Sequence, residues 1–277
     1  MKDTLSKHLI TIAWVALIFI IWEMAAFILD DILHERMASR ILPYLDKIIV
    51  QVFERQELLA KHASLTLSRA FLGFVIGAAV GFALSLAMSL AGIVEQMLFP
   101  YLLVSQMIPI LGLAPILIGI IGDIGRTRIF IAAFITFFPV ATNTLAGLKS
   151  VDRDQRDLMF SYAANKYAVY TKLMIPTAAP FFFSGMKIAA PMAITAAILV
   201  DTLGGATGLG YLITYSLYGG LPVMVFWSSV LVSAALGILS YYAIVVAERI
   251  CMPYRYLETS VPLRQIVKQL RRLRHAG

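Results

Sequence analysis

The sequence predicts an all-α integral membrane protein of about six transmembrane helices. Two observations lead there. Apolar residues arrive in blocks about twenty long, the length a helix needs to cross the hydrocarbon core of a bilayer. Between the blocks no period-two alternation survives, so strands are not indicated. The balance of residue types agrees: the 277 residues are 60% hydrophobic and only 14% charged, with a mean hydropathy of +0.83. Soluble domains carry about 25% charged residues. Cys251 is the one cysteine, which leaves no intrachain disulfide and no cysteine-cluster metal site.

Taken in order, the spans fall at roughly 9–29, 65–91, 98–121, 127–147, 181–203 and 223–248. The first, "LITIAWVALIFIIWEMAAFIL", is too long for a signal-peptide core, and Asp30 and Asp31 follow it without a small-residue cleavage site; it reads as a retained helix. Glu23, beside Trp22, suits an interface anchor. In "PYLDKIIVQVFERQELL" the apolar residues Leu45, Ile48, Ile49, Val52 and Phe53 recur at helical spacing, the pattern of a helix lying along the outer surface or of a solvated loop helix. The second span carries Gly73, Gly77 and Gly81 on one face, where small residues let another backbone come close. In the third, Gln106, Pro109 and Pro115 interrupt an otherwise spanning run. A broken backbone in lipid survives only against protein or a water-filled cavity, so these residues and Asn143 of the fourth span are candidates for a solute path, with helix kinking as the plainer reading. Asp201 closes the fifth span in "AILVDTLGGATGLGYL". Intramembrane carboxylates are costly and tend to be functional, so Asp201 is either a cap near the outer boundary or part of the path.

Basic residues set the orientation. With the N-terminus inside, fifteen of the 23 Lys and Arg fall on the inner segments, Lys187 among them, and eight on the outer ones, including Arg69, Arg126 and Arg128. The asymmetry places both termini in the cytoplasm. It also accounts for the net charge of +7 without a nucleic-acid partner. The stretch "VPLRQIVKQLRRLRHAG" sets Leu263, Ile266, Val267, Leu270 and Leu273 against a basic face, which suits an interfacial helix on anionic lipid, with a frayed basic tail as the plainer reading.

Catalytic signatures are missing. "GLKS" at Gly147–Ser150 lacks the order and the upstream glycine of a phosphate-binding loop. The four histidines, His8, His34, His62 and His275, fall in the tails or the outer polar loop, away from any metal-ligand spacing. No catalytic residue and no metal site is expected; the acids of "DRDQRD" are interleaved with arginines.

A second long polar interruption reads "GLKSVDRDQRDLMFSYAANKYAVYTKLMIPTAAP". Asp154 and Asp157 fall near the start of a helix, where carboxylates suit its dipole. Leu158, Met159, Tyr162 and Ala163 form a weakly apolar stripe, and a second short helix near Lys166–Met174 offers Tyr167, Tyr170 and Met174. Pro176 and Pro180 are expected to stop that helix and start the next span. A short helical pair presenting Met and Tyr on the cytoplasmic side makes an adaptable protein contact.

Here the chain resembles the permease subunits of bacterial ATP-binding-cassette (ABC) importers, in the branch that handles nitrate, sulfonates and taurine and that includes thiamine-pyrimidine and flavin-precursor members. That family carries Glu-Ala-Ala, a Gly six residues after the Glu and a Pro nineteen after it. Here the spacing is kept by Asp157, Ala163 and Pro176, with Leu158 and Met159 in place of the alanines. "TLSRAFLGFVIG", "VSQMIPILGLAP", "FFPVATNTLAGLKSVD" and "GGATGLGYLI" extend the resemblance over residues 65–215 in order. Asp201 stands where relatives carry Glu, and Pro191 adds a kink not expected there.

The resemblance implies a type I ABC importer permease fold. Residues 1–64 would form an N-terminal transmembrane helix and outer interfacial segment, 65–253 the permease core with a coupling helix at about 152–176, and 254–277 a basic cytoplasmic tail. Asp157, Leu158, Met159, Tyr162, Ala163, Tyr167 and Pro176 would then dock on separate ABC ATPase subunits. Those subunits would use the ATP and Mg, leaving no cofactor on this chain. A second permease copy, most simply a homodimer, and an extracytoplasmic substrate-binding protein would complete the assembly in the bacterial inner membrane. "SQMIPILGLAP" and "NTLAGLKSVD", and the absence of Lys and Arg between 70 and 120, lean toward a pyrimidine or flavin precursor over sulfonate, taurine or nitrate. The alternative is an ion-coupled secondary transporter or channel, which would need an inverted repeat and intramembrane ionisable residues; only Asp201 and Glu23 come close, both near span ends.

Overall fold

The computed structural model describes residues 2–32 and 41–253, all helical or connecting. The helices are α1 (Lys2–Phe27, continued by a π-helical turn at Ile28–Ile32), α2 (Leu45–Glu54), α3 (Gln56–Leu90), α4 (Gly92–Met107), α5 (Ile110–Ile121) and α6 (Ile124–Lys149). They are followed by α7 (Arg153–Ser161), α8 (Lys166–Val169, continued by a π-helical turn at Tyr170–Met174), α9 (Ile175–Thr202), α10 (Leu209–Leu217) and α11 (Val223–Cys251). Five stretches are long and apolar enough to span, and the pair α4–α5 makes a sixth, bent by 96° at its break. The basic stretch beyond residue 253 and the polar residues 33–40 lie outside the described residues.

At the centre, α6 packs along both α3 and α9, and α9 in turn against α11. The glycine stripe of α3 explains the first contact. A Cβ on Gly73, Gly77 or Gly81 would collide with α6, at Ala132, the carbonyl of Ala133 and the carbonyl of Phe137 respectively. A second close approach was not signalled by any repeat: Gly185 of α9 rides on the Pro139 carbonyl of α6. Gly147, the glycine of "GLKS", is a packing residue too, with Phe181 where its side chain would be. Ala132, Val140, Ala189, Ala190 and Ala193 fill the seam between α6, α9 and their neighbours, as expected where close backbone approach drives helix association.

The break between α4 and α5 follows from Pro109. The residue before a proline is pushed out of the helical region, and Ile108 is accordingly extended at φ −73°, ψ 119°. Gly122, left-handed at φ 70°, ends α5, and the Asp123 carboxylate accepts from the Arg126 amide at 2.6 Å to start α6.

Several expectations need correction. α3 begins at Gln56, nine residues before the apolar block, because Leu59 packs under Leu209 and Leu212 of α10. α10 itself had no place among the expected elements. α2 is neither free nor simply interfacial: Ile48 is buried, Val52 packs with the Leu59–Leu212 cluster, and Ile49 and Phe53 stay exposed. Glu23 binds the backbone, accepting from the Leu45 amide at 2.9 Å, while Trp22 donates to the Pro43 carbonyl at 3.0 Å. Pro176 does not interrupt the chain, which stays helical from Lys166 to Thr202. The wider turn at Tyr170–Met174 precedes the proline ring, which cannot be accommodated in a regular helical turn without displacing the carbonyl four residues earlier.

Candidate functional site

Two constructions stand out, at opposite ends of α9. The first is the α7–α8 pair. Asp152 accepts from the Asp154 amide at 3.3 Å to open α7, and Asn165 accepts from the Ala168 amide at 2.8 Å to open α8. Between them the chain turns back on Ala163, the one described non-glycine residue at positive φ, 53°. The Ala163 amide donates to the Phe160 carbonyl at 2.9 Å and the Ala164 amide to the Met159 carbonyl at 3.0 Å, the paired bonds of a Schellman cap. Alanine thus takes up the left-handed geometry here, at a cost of about 1 kcal/mol.

One face of this pair is fixed to the bundle. Met159, Ala164 and Tyr170 pack on Leu148, Val151, Val169, Met174 and Ala178. The Tyr170 hydroxyl donates to the Ser89 carbonyl at 2.8 Å, and Lys149 at the end of α6 pairs with Glu95 of α4 at 2.5 Å. The other face is open: Leu158, Tyr162 and Tyr167 are 57%, 78% and 76% exposed, and Asp157 and Ala163 are exposed beside them. The structure thus brings together Asp157, Leu158, Tyr162, Ala163 and Tyr167 on one short segment, while Met159 turns half inward. Pro176 lies in the first turn of α9. Phe160, 58% exposed, is an additional surface residue that the spacing argument passed over.

The second construction surrounds Asp201, which is 1% exposed. Its carboxylate forms an ion pair with the Arg128 guanidinium of α6 and accepts from the Thr66 hydroxyl of α3 at 2.8 Å. Thr66 in turn accepts from the Leu209 amide at 2.9 Å. Arg128 continues to the Thr207 carbonyl at 2.6 Å, and Arg69 reaches the Thr207 hydroxyl at 3.3 Å. Three span ends and the loop before α10 are joined at this one ion pair. "GGATGLG" is glycine-rich because the loop wraps it: a Cβ on Gly205 would collide with Arg128, and one on Gly208, at φ 103°, with the Asp201 carboxylate.

His62 belongs here as well, and not to the outer loop. It is buried, its Nδ1 lies 3.0 Å from the Gly208 amide, and its ring stacks on Tyr211 at 5.7 Å. Arg128 was counted above as an outer flank and Lys187 as an inner one. Both are bundle residues: Arg128 pairs with Asp201, and Lys187 of α9 pairs with Glu248 of α11. Removing one cation from each side leaves the basic asymmetry almost unchanged. No sequence motif announces these partners, though a carboxylate in so apolar a chain requires a cation nearby.

The remaining candidates are dispersed. Gln106 is exposed at the last turn of α4 and Pro109 caps α5 at the break. Ile110 next to it borders a cavity of about 250 Å³ with Ile135, Pro191, Met192, Thr195 and Leu199. Asn143, further along α6, donates to the Pro139 carbonyl of its own helix at 2.7 Å. Pro191 also borders an open concavity on its other side, with Gly237, Tyr241 and Tyr242 of α11. Among the described residues no group of three His, Cys, Asp or Glu could hold a metal ion.

Comparison with known proteins decides the family. Residues 73–250 match the binding-protein-dependent transport system inner membrane component. The chain belongs to that family. Its relatives include a formylaminopyrimidine transport permease protein, ThiX, of Halalkalibacterium halodurans, 30% identical over 86% of this chain and 93% of the relative. A riboflavin transport system permease protein, RibX, of Chloroflexus aurantiacus is 36% identical over 56% of this chain and 58% of its own. A putative aliphatic sulfonates transport permease protein, SsuC, of Escherichia coli is 29% identical over 69% and 72%. Among solved structures an amino acid ABC transporter matches with a TM-score of 0.58 at 15% identity, covering 74% of this chain and 97% of that one. The methionine transporter MetNI in an inward-facing form matches at 0.53 and 19%, covering 73% and 95%. The fold is that of type I ABC importer permeases, and the chain is the multi-pass membrane subunit of such an importer, not its ATPase.

Proposed function

We propose that this permease works as a homodimer around a central path, fed by an extracytoplasmic binding protein and driven by two ATPase subunits docked on residues 152–176. ATP and Mg would be bound on those subunits alone, and both termini would face the cytoplasm. One observation supports the docking assignment above others. The α7–α8 pair is locked to the bundle on one face while Leu158, Tyr162 and Tyr167 stand exposed on the other, the arrangement of a rigid element awaiting a partner. The test is copurification of the detergent-solubilised permease from its native membrane, followed by substrate-stimulated ATP hydrolysis of the reconstituted complex. An ATPase in near-equal amount supports the reading. A chain that comes alone and moves solute without ATP overturns it.

For the substrate, the proposal is a small neutral organic solute of the pyrimidine or flavin-precursor class. The names of ThiX and RibX favour it, and so does the cavity beside the α4–α5 break, whose walls Ile110, Ile135, Pro191, Met192, Thr195 and Leu199 carry no cation to hold nitrate or a sulfonate. Gln106, Pro109 and Asn143 would border the same path; Asp201 would shape it through the loop it holds. The ion-coupled alternative is disfavoured because the two buried acids among the described residues, Asp201 and Glu248, each already have a cation partner. Uptake assays with labelled pyrimidine, riboflavin, taurine and nitrate separate the classes.

A further inference from the structure

A cavity of about 390 Å³ lies where the α7–α8 pair meets the bundle, within the range of small-ligand sites. Its polar walls are Ser89 and Glu95 at the α3–α4 turn, Lys149 at the end of α6, Arg156 of α7, and Lys166 and Tyr170. Three of these are cations and one is an acid, and Glu95 is already engaged by Lys149. Arg156 and Lys166 make no ion pair among the described residues, and the Arg156 Nε is shielded from solvent without a hydrogen-bond partner. A buried donor left without an acceptor is unfavourable and marks a place where a ligand atom is needed. The nearby acids of α7 do not supply it: Asp152 is turned to the Asp154 amide, and neither Asp154 nor Asp157 pairs with Arg156. The apolar part of the lining is Met88, Leu90, Leu148, Phe160, Val169 and Met174. The exposed residues Leu158, Tyr162 and Tyr167 are not among its walls, but Phe160 is, so the cavity opens beside the docking face and the test must separate the two.

We infer that this cavity binds the phosphate of an anionic glycerophospholipid from the leaflet on the α7–α8 side, with Arg156 and Lys166 on the phosphate and the apolar wall against the glycerol and first acyl carbons. Basic pockets between spans on the cytoplasmic side recognise such headgroups. The inference rests on reading residues 152–176 as a coupling segment at the membrane interface. If it holds, a lipid pins both short helices to the bundle, and coupling depends on the charge of the bilayer.

The test uses the assembled transporter in nanodiscs of phosphatidylcholine with or without phosphatidylglycerol, reading lipid retained after delipidation by native mass spectrometry and ATP hydrolysis in parallel. Phosphatidylglycerol should be retained over phosphatidylcholine. Retention should fall about fivefold in Arg156→Gln or Lys166→Gln and about 25-fold in the double variant, the factor expected per basic residue at an anionic surface. Lys172→Gln, an exposed cation of the same segment outside the cavity walls, should leave it unchanged. Equal retention by wild type and double variant overturns the proposal. So does binding of inorganic phosphate in phosphatidylcholine discs without any preference for phosphatidylglycerol, which would assign the cavity to a soluble anion. A double variant that keeps its lipid but loses its ATPase subunits would assign the two cations to acidic groups of that partner. Should no ATPase copurify at all, the transport reading fails on its own, and lipid retention by the chain still decides the cavity.

Discussion

The two ends of α9 use polar residues in opposite ways. At the Asp201 end the charges are buried and satisfied within the chain: Arg128, Thr66 and the Gly208 loop close around one carboxylate. At the α7–α8 end the contacts to the bundle are mostly apolar, joined by the Tyr170–Ser89 hydrogen bond, while Tyr162 and Tyr167 face outward, more than three-quarters exposed. One end is finished as folded; the other has a surface left over for a partner. Substitutions at the first should therefore act on stability, and substitutions at the second on coupling.

The largest effect is expected from dividing the ion pair. Arg128→Met or Asp201→Ala leaves a buried charge alone and should cost about 3–5 kcal/mol, read as loss of folded protein in detergent melts. The double variant Arg128→Met/Asp201→Leu, with no stranded charge, should recover much of that; equal instability of single and double variants would mean that the loop contacts, and not the charges, hold this end. Next comes Gly208→Ala, where positive φ alone costs about 1–2 kcal/mol and the overlap with Asp201 adds to it, measured in the same melts. At the other end, Asp157→Lys or Ala163→Glu should leave the melt within about 0.5 kcal/mol and lower substrate-stimulated ATP hydrolysis about tenfold, an equivalent of about 1.4 kcal/mol. Unchanged hydrolysis would remove this surface from the coupling reading. The smallest effect is Ala163→Gly, which relieves the left-handed alanine and should stabilise the turn by about 0.5–1 kcal/mol; hydrogen exchange at the Ala164 amide, bonded to Met159, would report it.

The same contrast decides what could be read from the sequence. The glycine face of α3, the first short helix and the approximate span positions are patterns along the chain, written in spacings of three, four or twenty residues, and the structure reproduces them; the second short helix is instead the start of the α9 span. The Asp201 end is written across the chain. Arg128 and Thr66 lie 73 and 135 residues before Asp201, and nothing local distinguishes Arg128 from a flanking cation. His62 looked like a loop residue because the residues around it are polar; its burial depends on α10, which packs on α3 only after the glycine loop has turned. Lys187 and Glu248 hide each other in the same way, being recognisable only as a pair. The candidate path is the least legible part, since a stripe of α9 (Pro191, Met192, Thr195, Leu199) meets single residues of α5 and α6 that share no motif with it.

The uninterrupted helical course from Lys166 to Thr202 has a mechanical consequence. Its 37 residues make a rod about 55 Å long at 1.5 Å per residue. A tilt of about 10° around its midpoint would carry each end about 5 Å in opposite directions, a full helical turn of displacement. A push received at the α7–α8 pair need not be relayed through side chains to reach the Gly208 loop, because both sit on the same lever. The π-helical turn at Tyr170–Met174 is the soft place in that lever, and stiffening or loosening it would set how much of the stroke arrives.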